Sequence, residues 1–133
     1  MTEEEINIYE KATNMLLELK IQPELVGFDY LRKAIVLCVE DMSLISTITS
    51  KLYPMVGEYF NVNASIVERC IRNAIEQSYK NGGLLGINNF YDTIIYTNDY
   101  KFANSELIAI IVEKIQIDRL KEEFLKNKSV AVG

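Results

Sequence analysis

Arg69 and Arg72 lie three residues apart in "NVNASIVERCIRNAIEQSYKNGG", Asn61 to Gly83, in a chain of formal net charge −5. Arginine carries a planar fork that donates twice, to guanine O6 and N7 or to a carboxylate. Glu68 beside them can accept from a cytosine amino group or orient an arginine. At 100° per residue the segment puts Val67, Cys70, Ile71, Ala74, Ile75 and Ser78 on one arc. Ser65, Arg69, Arg72, Asn73 and Glu76 fall opposite, so the spacing predicts an amphipathic helix with a polar, basic ridge. Asn63 is the expected N-cap, and Asn81-Gly82-Gly83 the expected stop. A plainer chemistry fits the same residues. Glu68 with Arg72, and Arg72 with Glu76, stand four apart and can pair along a solvated face for about a few tenths of a kcal/mol.

Other reactive constellations are missing. The chain has no histidine, which removes the commonest general base and the commonest zinc ligand. No carboxylates form a close pair in an apolar setting, and "NGGLLG" has the spacing of neither common phosphate-binding loop. Ser/Lys or two-carboxylate catalysis is compatible with the residue types, yet nothing in their pattern supports it. The expectation is a non-enzyme with no cofactor and no metal. Cys38 and Cys70, both on apolar arcs, read as small core residues in a reducing compartment.

A chain of 133 residues, 49% hydrophobic and 25% charged, fits one ordinary folded domain. The apolar runs "AIVLCV" and "LIAIIV" are too short to span a bilayer, and "MTEEE" is unlike a basic signal-peptide start, so a cytoplasmic location is expected. Charge is uneven. Residues 1–50 carry nine acids and four bases, residues 81–133 seven acids and six bases, and only residues 51–80, with three acids and four bases, lean positive. Any contact with nucleic acid must therefore be local and oriented.

The elements around the ridge read as all-α. Residues 6–20 predict a helix with Ile6, Tyr9, Met15, Leu16 and Leu19 inward after an acidic start. "KIQPELVG" is a connector, and Phe28 to Asp41 keeps helical spacing through Tyr30, Leu31, Ala34, Ile35, Cys38 and Val39. "SLISTITSKLYPMVGEYF" predicts two short helices broken before Pro54, whose ring disfavours α geometry at Tyr53. "LLGINNFYDTII" suggests a short helix and "YTNDYKFAN" a loop; "DTIIYT" could be extended, but a lone strand makes no sheet. "SELIAIIVEKIQIDRLKEEFL" predicts a long last helix capped by Asn104 or Ser105; its stripe, like that of residues 6–20, can cover the core or form a dimer interface, and Ile111, Ile115 and Leu120 are expected in the core. The division expected is an N-terminal helix over 1–20, a six- to seven-helix domain over 21–124 and a disordered tail over 125–133.

Gly57, Asn61 and Val62, followed by Val67, Cys70 and Ile71, have the spacing of a helix-turn-helix. The small Gly57 lets the helices approach, Asn61 tolerates the left-handed turn and Val62 anchors it. Spacing alone leaves this open against a plain helical hairpin.

"GFDYLRKAI", "ITSKLYPMVGEYFNVNASIVERCIRNAIE" and "NSELIAIIVEKI" resemble the C-terminal DNA-binding effector domain of the sporulation master response regulator of endospore-forming bacteria. The likeness runs from about Ile21 to Leu120 in one register. It implies a six-helix domain whose tandem copies bind short operator boxes head to tail. It also implies DNA contacts at Glu68, Arg69 and Arg72, with Ser65 where the helix start meets the backbone. Three departures stand out. Ile66 replaces a usual arginine and Asn73 a usual histidine, and only about twenty residues precede the match, so phosphorylation through a receiver in cis is expected to be absent. Ile66 could touch a thymine methyl, cover a partner or mark lost DNA binding.

The leading expectation is a transcription regulator that reads duplex DNA through Ser65, Ile66, Glu68, Arg69, Arg72 and Asn73, as a homodimer or tandem dimer. The alternative is a module that keeps the fold and titrates the full-length regulator or another transcription component.

Overall fold

In the computed structural model, which describes the backbone of residues 1–132 and the side chains of residues 1–128, every regular element is helical. Thr2 opens the first helix, α1 (Glu3–Glu18), its hydroxyl accepting from the Glu5 amide at 3.1 Å. Glu3, Glu4 and Glu5 occupy the first turn, where the positive end of the helix dipole favours anions. The buried stripe is Ile8, Ala12, Met15 and Leu16, continued by Leu19. Ile6 and Tyr9, expected inward, are 49% and 36% exposed. Ile6 sits two residues, about 200°, from Ile8 and so on the other side. The Tyr9 ring instead lies under the Arg32 guanidinium, 4.1 Å from its carbon.

Helix α2 (Val26–Glu40) is the hub, packing against α1, α4 (Ala64–Lys80) and α6 (Asn104–Val132). Phe28, Tyr30, Leu31, Ala34, Ile35, Cys38 and Val39 are buried as their spacing predicts. Gly27 governs its approach to α4, since a Cβ there would stand 2.3 Å from the Cys70 carbonyl oxygen. The two backbones nearly touch, and only hydrogen fits between them.

A 3-10 segment (Met42–Thr47) and a π-helical turn (Ile48–Leu52) lead into α3 (Tyr53–Phe60). The expected distortion at Tyr53 does not occur; its φ and ψ are −60° and −43°. Pro54 sits in the first turn of α3, where a missing N–H breaks no intrahelical bond, and the irregular backbone lies upstream.

After α4 a 3-10 turn (Gly83–Gly86) precedes the short α5 (Ile87–Tyr91). "DTIIYT" forms no strand among the described residues. Asn88 pins this stretch, its side-chain oxygen accepting from the Ile95 and Tyr96 amides and its NH2 donating to the Tyr96 carbonyl, each at 2.9 Å.

Helix α6 buries Leu107, Ile108, Ile111, Val112 and Ile115. Leu120, expected in the core, is 66% exposed, because it stands nine residues, about 180°, from the buried Ile111 and so faces away from the core. The helix runs through to Val132, with no Gly or Pro within it, and Gly133 lies outside the described residues. The start of α6 differs too. The Glu106 carboxylate, held by the Tyr100 hydroxyl at 2.7 Å, accepts from the Ala103 amide at 3.0 Å, which leaves Asn104 for another partner.

Candidate nucleic-acid interface

The joint between α3 and α4 is tight. Asn61 ends α3 in the left-handed region at φ 59°, ψ 46°, and the Val62 amide donates to the Gly57 carbonyl at 2.9 Å. A Cβ on Gly57 would meet the Val62 carbonyl oxygen at 2.5 Å, so glycine is required for this turn. Asn63 then caps α4, its side-chain oxygen accepting from the Ile66 amide at 3.1 Å and the Ser65 hydroxyl at 2.7 Å. The helix-turn-helix spacing read from Gly57, Asn61 and Val62 is realised as geometry.

α4 is fixed from three sides. Val67, Ile71, Ala74, Ile75 and Ser78 are buried, and Cys70 is half-buried beside Gly27. The Ser78 hydroxyl donates to the Leu19 carbonyl at 2.6 Å, which binds α4 to the end of α1. On one flank the Asn104 side-chain NH2 donates to the Glu68 carbonyl and the Tyr53 hydroxyl, each at 3.1 Å. Burial pushes the Tyr53 hydroxyl pKa up, against the opposing effect of the Asn104 bond, so it stays neutral. Further along, Lys101 from the 92–103 loop reaches Glu76 at 2.5 Å. That hydrogen bond holds the Glu76 carboxyl below its ordinary range.

The outer face divides unequally among the residues read as DNA contacts. Ser65, Arg69, Arg72 and Asn73 are exposed, while Ile66 and Glu68 are half-buried. Arg72 is paired with Glu68 one turn back, as one of the two alternatives requires. Glu76 does not pair with Arg72; it turns to Lys80 and Lys101. Arg69 makes no ion pair among the described residues, so its fork is the uncommitted cation of the ridge. The Ser65 hydroxyl is engaged as a donor to Asn63 and keeps only acceptor capacity. Ile66 packs against the edge of the hydrophobic core, which explains an apolar residue beside a polar ridge. Asn73 borders a shallow cleft of about 260 Å³ with Gln77 and the first turn of α2.

Two side chains that shape this face escape a reading of α4 alone. Asn104 and Lys101 stand 36 and 25 residues downstream of the α4 residues they bind; Asn104 carries a helix-start signal in the sequence and Lys101 carries none.

A rod of 17 residues is about 25 Å long, and its approximate 10–12 Å diameter matches the width of a DNA major groove. With its apolar side anchored and a free guanidinium outward, α4 can offer directed donors and acceptors to base edges or phosphates. No helix among the described residues is long and apolar enough to cross a membrane.

The family model described as "Sporulation initiation factor Spo0A C terminal" matches residues 12–115. The match begins inside α1, nine residues before the boundary read at Ile21, and runs through the whole helix-turn-helix to Ile115 in α6. With more than three quarters of its length matched, the chain belongs to the Spo0A C-terminal family of DNA-binding effector domains, whose work is the regulation of transcription in sporulation.

Proposed function

We propose that this protein reads a short box of duplex DNA by laying α4 in the major groove, with Arg69 as the principal base contact. One observation carries the reading: Arg69 is exposed, without an ion pair among the described residues, and on the outer face of a helix whose inner face is anchored. Arg72, held by Glu68, supplies a charged donor of fixed direction, and Glu68 keeps an oxygen for a cytosine amino group or a water. Ser65 and Asn73 flank the contact at the two ends of the ridge. Residues 51–80 are the stretch that leans positive in an otherwise acidic chain, which fits a small oriented footprint. Transcription control in the cytoplasm follows from such binding, including competition with a full-length regulator for related boxes.

The test is fluorescence anisotropy with a family-type operator and a random duplex across a salt series. The expected result is saturable binding that favours the operator and weakens with salt, and a loss of about 1–3 kcal/mol on Arg69→Ala. Equal binding to both duplexes, or an Arg69→Ala protein that binds as well as the parent, overturns the proposal.

A second reading has its own observation. Ile66 is half-buried and apolar at the edge of the ridge, and with a net charge of −5 it would suit a protein partner better than a polyanion. On that reading the domain titrates a transcription component. Ile66→Arg separates the two, strengthening operator binding if the face meets DNA and leaving it unchanged if the face meets protein.

A further inference from the structure

Beyond Ile115 the family match ends but α6 continues for more than four turns, to Val132. Its chemistry there is unusual for a solvent face: Leu120 and Phe124 are 66% and 65% exposed. Ile117, Leu120 and Phe124 are spaced three and four apart, the seam spacing of a coiled coil. This stripe points away from the domain. Ile108 and Ile117, like Ile115 and Phe124, are nine residues apart, a turn of about 180°, so the stripe lies opposite the face pressed into the core.

Taking Ile117 and Phe124 as a positions and Leu120 as d makes Arg119 c and Glu122 f, both on the outer side of a coiled coil. Among the described residues those are the two that form ion pairs with α1, Arg119 with Glu4 and Glu122 with Lys11. The fold therefore grips the back of the helix and leaves Leu120 and Phe124 open, with Ile117 half-buried at the start of the seam. The flanking residues select the occupant. Glu123 and Gln116 fall at g, Lys121 and Lys128 at e. In a parallel pair a g residue meets the e residue five further along on its partner, setting Glu123 against Lys128; Gln116, at the preceding g position, is half-buried and donates to the Val39 carbonyl of α2 at 3.4 Å, so it takes no part in the selection. An antiparallel pair would set glutamate against glutamate and lysine against lysine.

We infer that the second half of α6 is a homodimer seam that takes the same segment of a second copy of this chain, in parallel. The pairing is two-fold about the coil axis, so both α6 N-termini lie at one end of the dimer. Each N-terminus is fixed to its own α4 through Asn104 and Glu68, so both α4 helices come to that same end. The arrangement differs from a head-to-tail tandem. It does not depend on DNA reading, and its test needs no DNA.

The experiment is sedimentation velocity on the full chain over rising concentration. With about two heptads in contact, the interface lies at the small end of specific interfaces, and a reversible dimer with a dissociation constant of roughly tens of micromolar is expected. Phe124→Glu, at an exposed position, should weaken the dimer roughly thirtyfold or more with helix content unchanged by circular dichroism. Glu123→Lys should weaken it roughly three- to tenfold, and adding Lys128→Glu to that variant should restore it. A protein that stays monomeric throughout, a dimer indifferent to Phe124→Glu, or a charge swap that fails to restore association overturns the parallel seam.

Discussion

α4 and the second half of α6 each turn a long face to solvent, and the two faces are opposite in chemistry. That of α4 carries Ser65, Arg69, Arg72 and Asn73, over a buried side of Val67, Ile71, Ala74 and Ile75. That of α6 carries Leu120 and Phe124, with two surface ion pairs to α1 behind it among the described residues. A polar face remains hydrated alone and suits a charged partner whose affinity falls with salt. An apolar face gains free energy when water is excluded from it, so it suits a partner that covers it. The difference teaches that the molecule has two distinct exposed surfaces, one inside the family match over residues 12–115 and one beyond it.

The sharpest way to break the comparison is at the turn that aims α4. Gly57→Val places a Cβ where 2.5 Å separates it from the Val62 carbonyl, a clash with backbone that cannot move aside cheaply. It should cost about 3 kcal/mol in urea unfolding and abolish preference for the operator; a stable variant with intact DNA preference would show that the turn does not set the face. Next in size is a crossed pair of variants. Arg69→Ala should cost about 1–3 kcal/mol of operator binding and leave self-association untouched, while Phe124→Glu should do the reverse on a single box. If either substitution moves both readouts, the surfaces are one surface.

Asn104→Ala removes two hydrogen bonds between α6 and the α3–α4 unit, at the Glu68 carbonyl and the Tyr53 hydroxyl. A stability loss of about 1–2 kcal/mol is expected, with operator affinity reduced because α4 loses a flank; unchanged affinity would assign Asn104 to stability alone. The smallest effect is one of pH. Lys101 lowers the Glu76 carboxyl pKa in the folded state from its ordinary 4.5, so the stabilisation is present above that value and lost as pH falls below it. Glu76→Gln should flatten the acid limb of stability slightly, read as the urea midpoint against pH. An acid limb as steep as the parent's would show that the Lys101 contact contributes nothing in solution.

The helix-turn-helix was legible because its requirements are local. A small residue at Gly57, a left-handed-tolerant Asn61 and an N-cap at Asn63 all act within a few residues of one another, and each does what its type predicts. The inner arc of α4 was legible for the same reason, being a matter of period. Ile6 and Tyr9 were misplaced because an apolar stripe can be drawn along α1 in two registers, and the neighbour, α2, chooses between them. The distortion at Tyr53 was misplaced because the π-helical turn upstream takes it up. Leu120 was placed in the core although it stands nine residues, about 180°, from Ile111, and the buried face of α6 follows Ile108, Ile111, Val112 and Ile115 instead.

The sequence by itself determined the all-α class, the inner side of α4, its caps and the residue types on its ridge, since helical period and side-chain capping are short-range. Only the tertiary structure decided that Arg72 is tied to Glu68 while Arg69 has no ion pair among the described residues, that Asn104 and Lys101 brace α4, and that Leu120 and Phe124 on α6 face water. Those outcomes depend on residues distant along the chain competing for the same charges, hydrogen bonds and space, and that competition is settled when the helices pack.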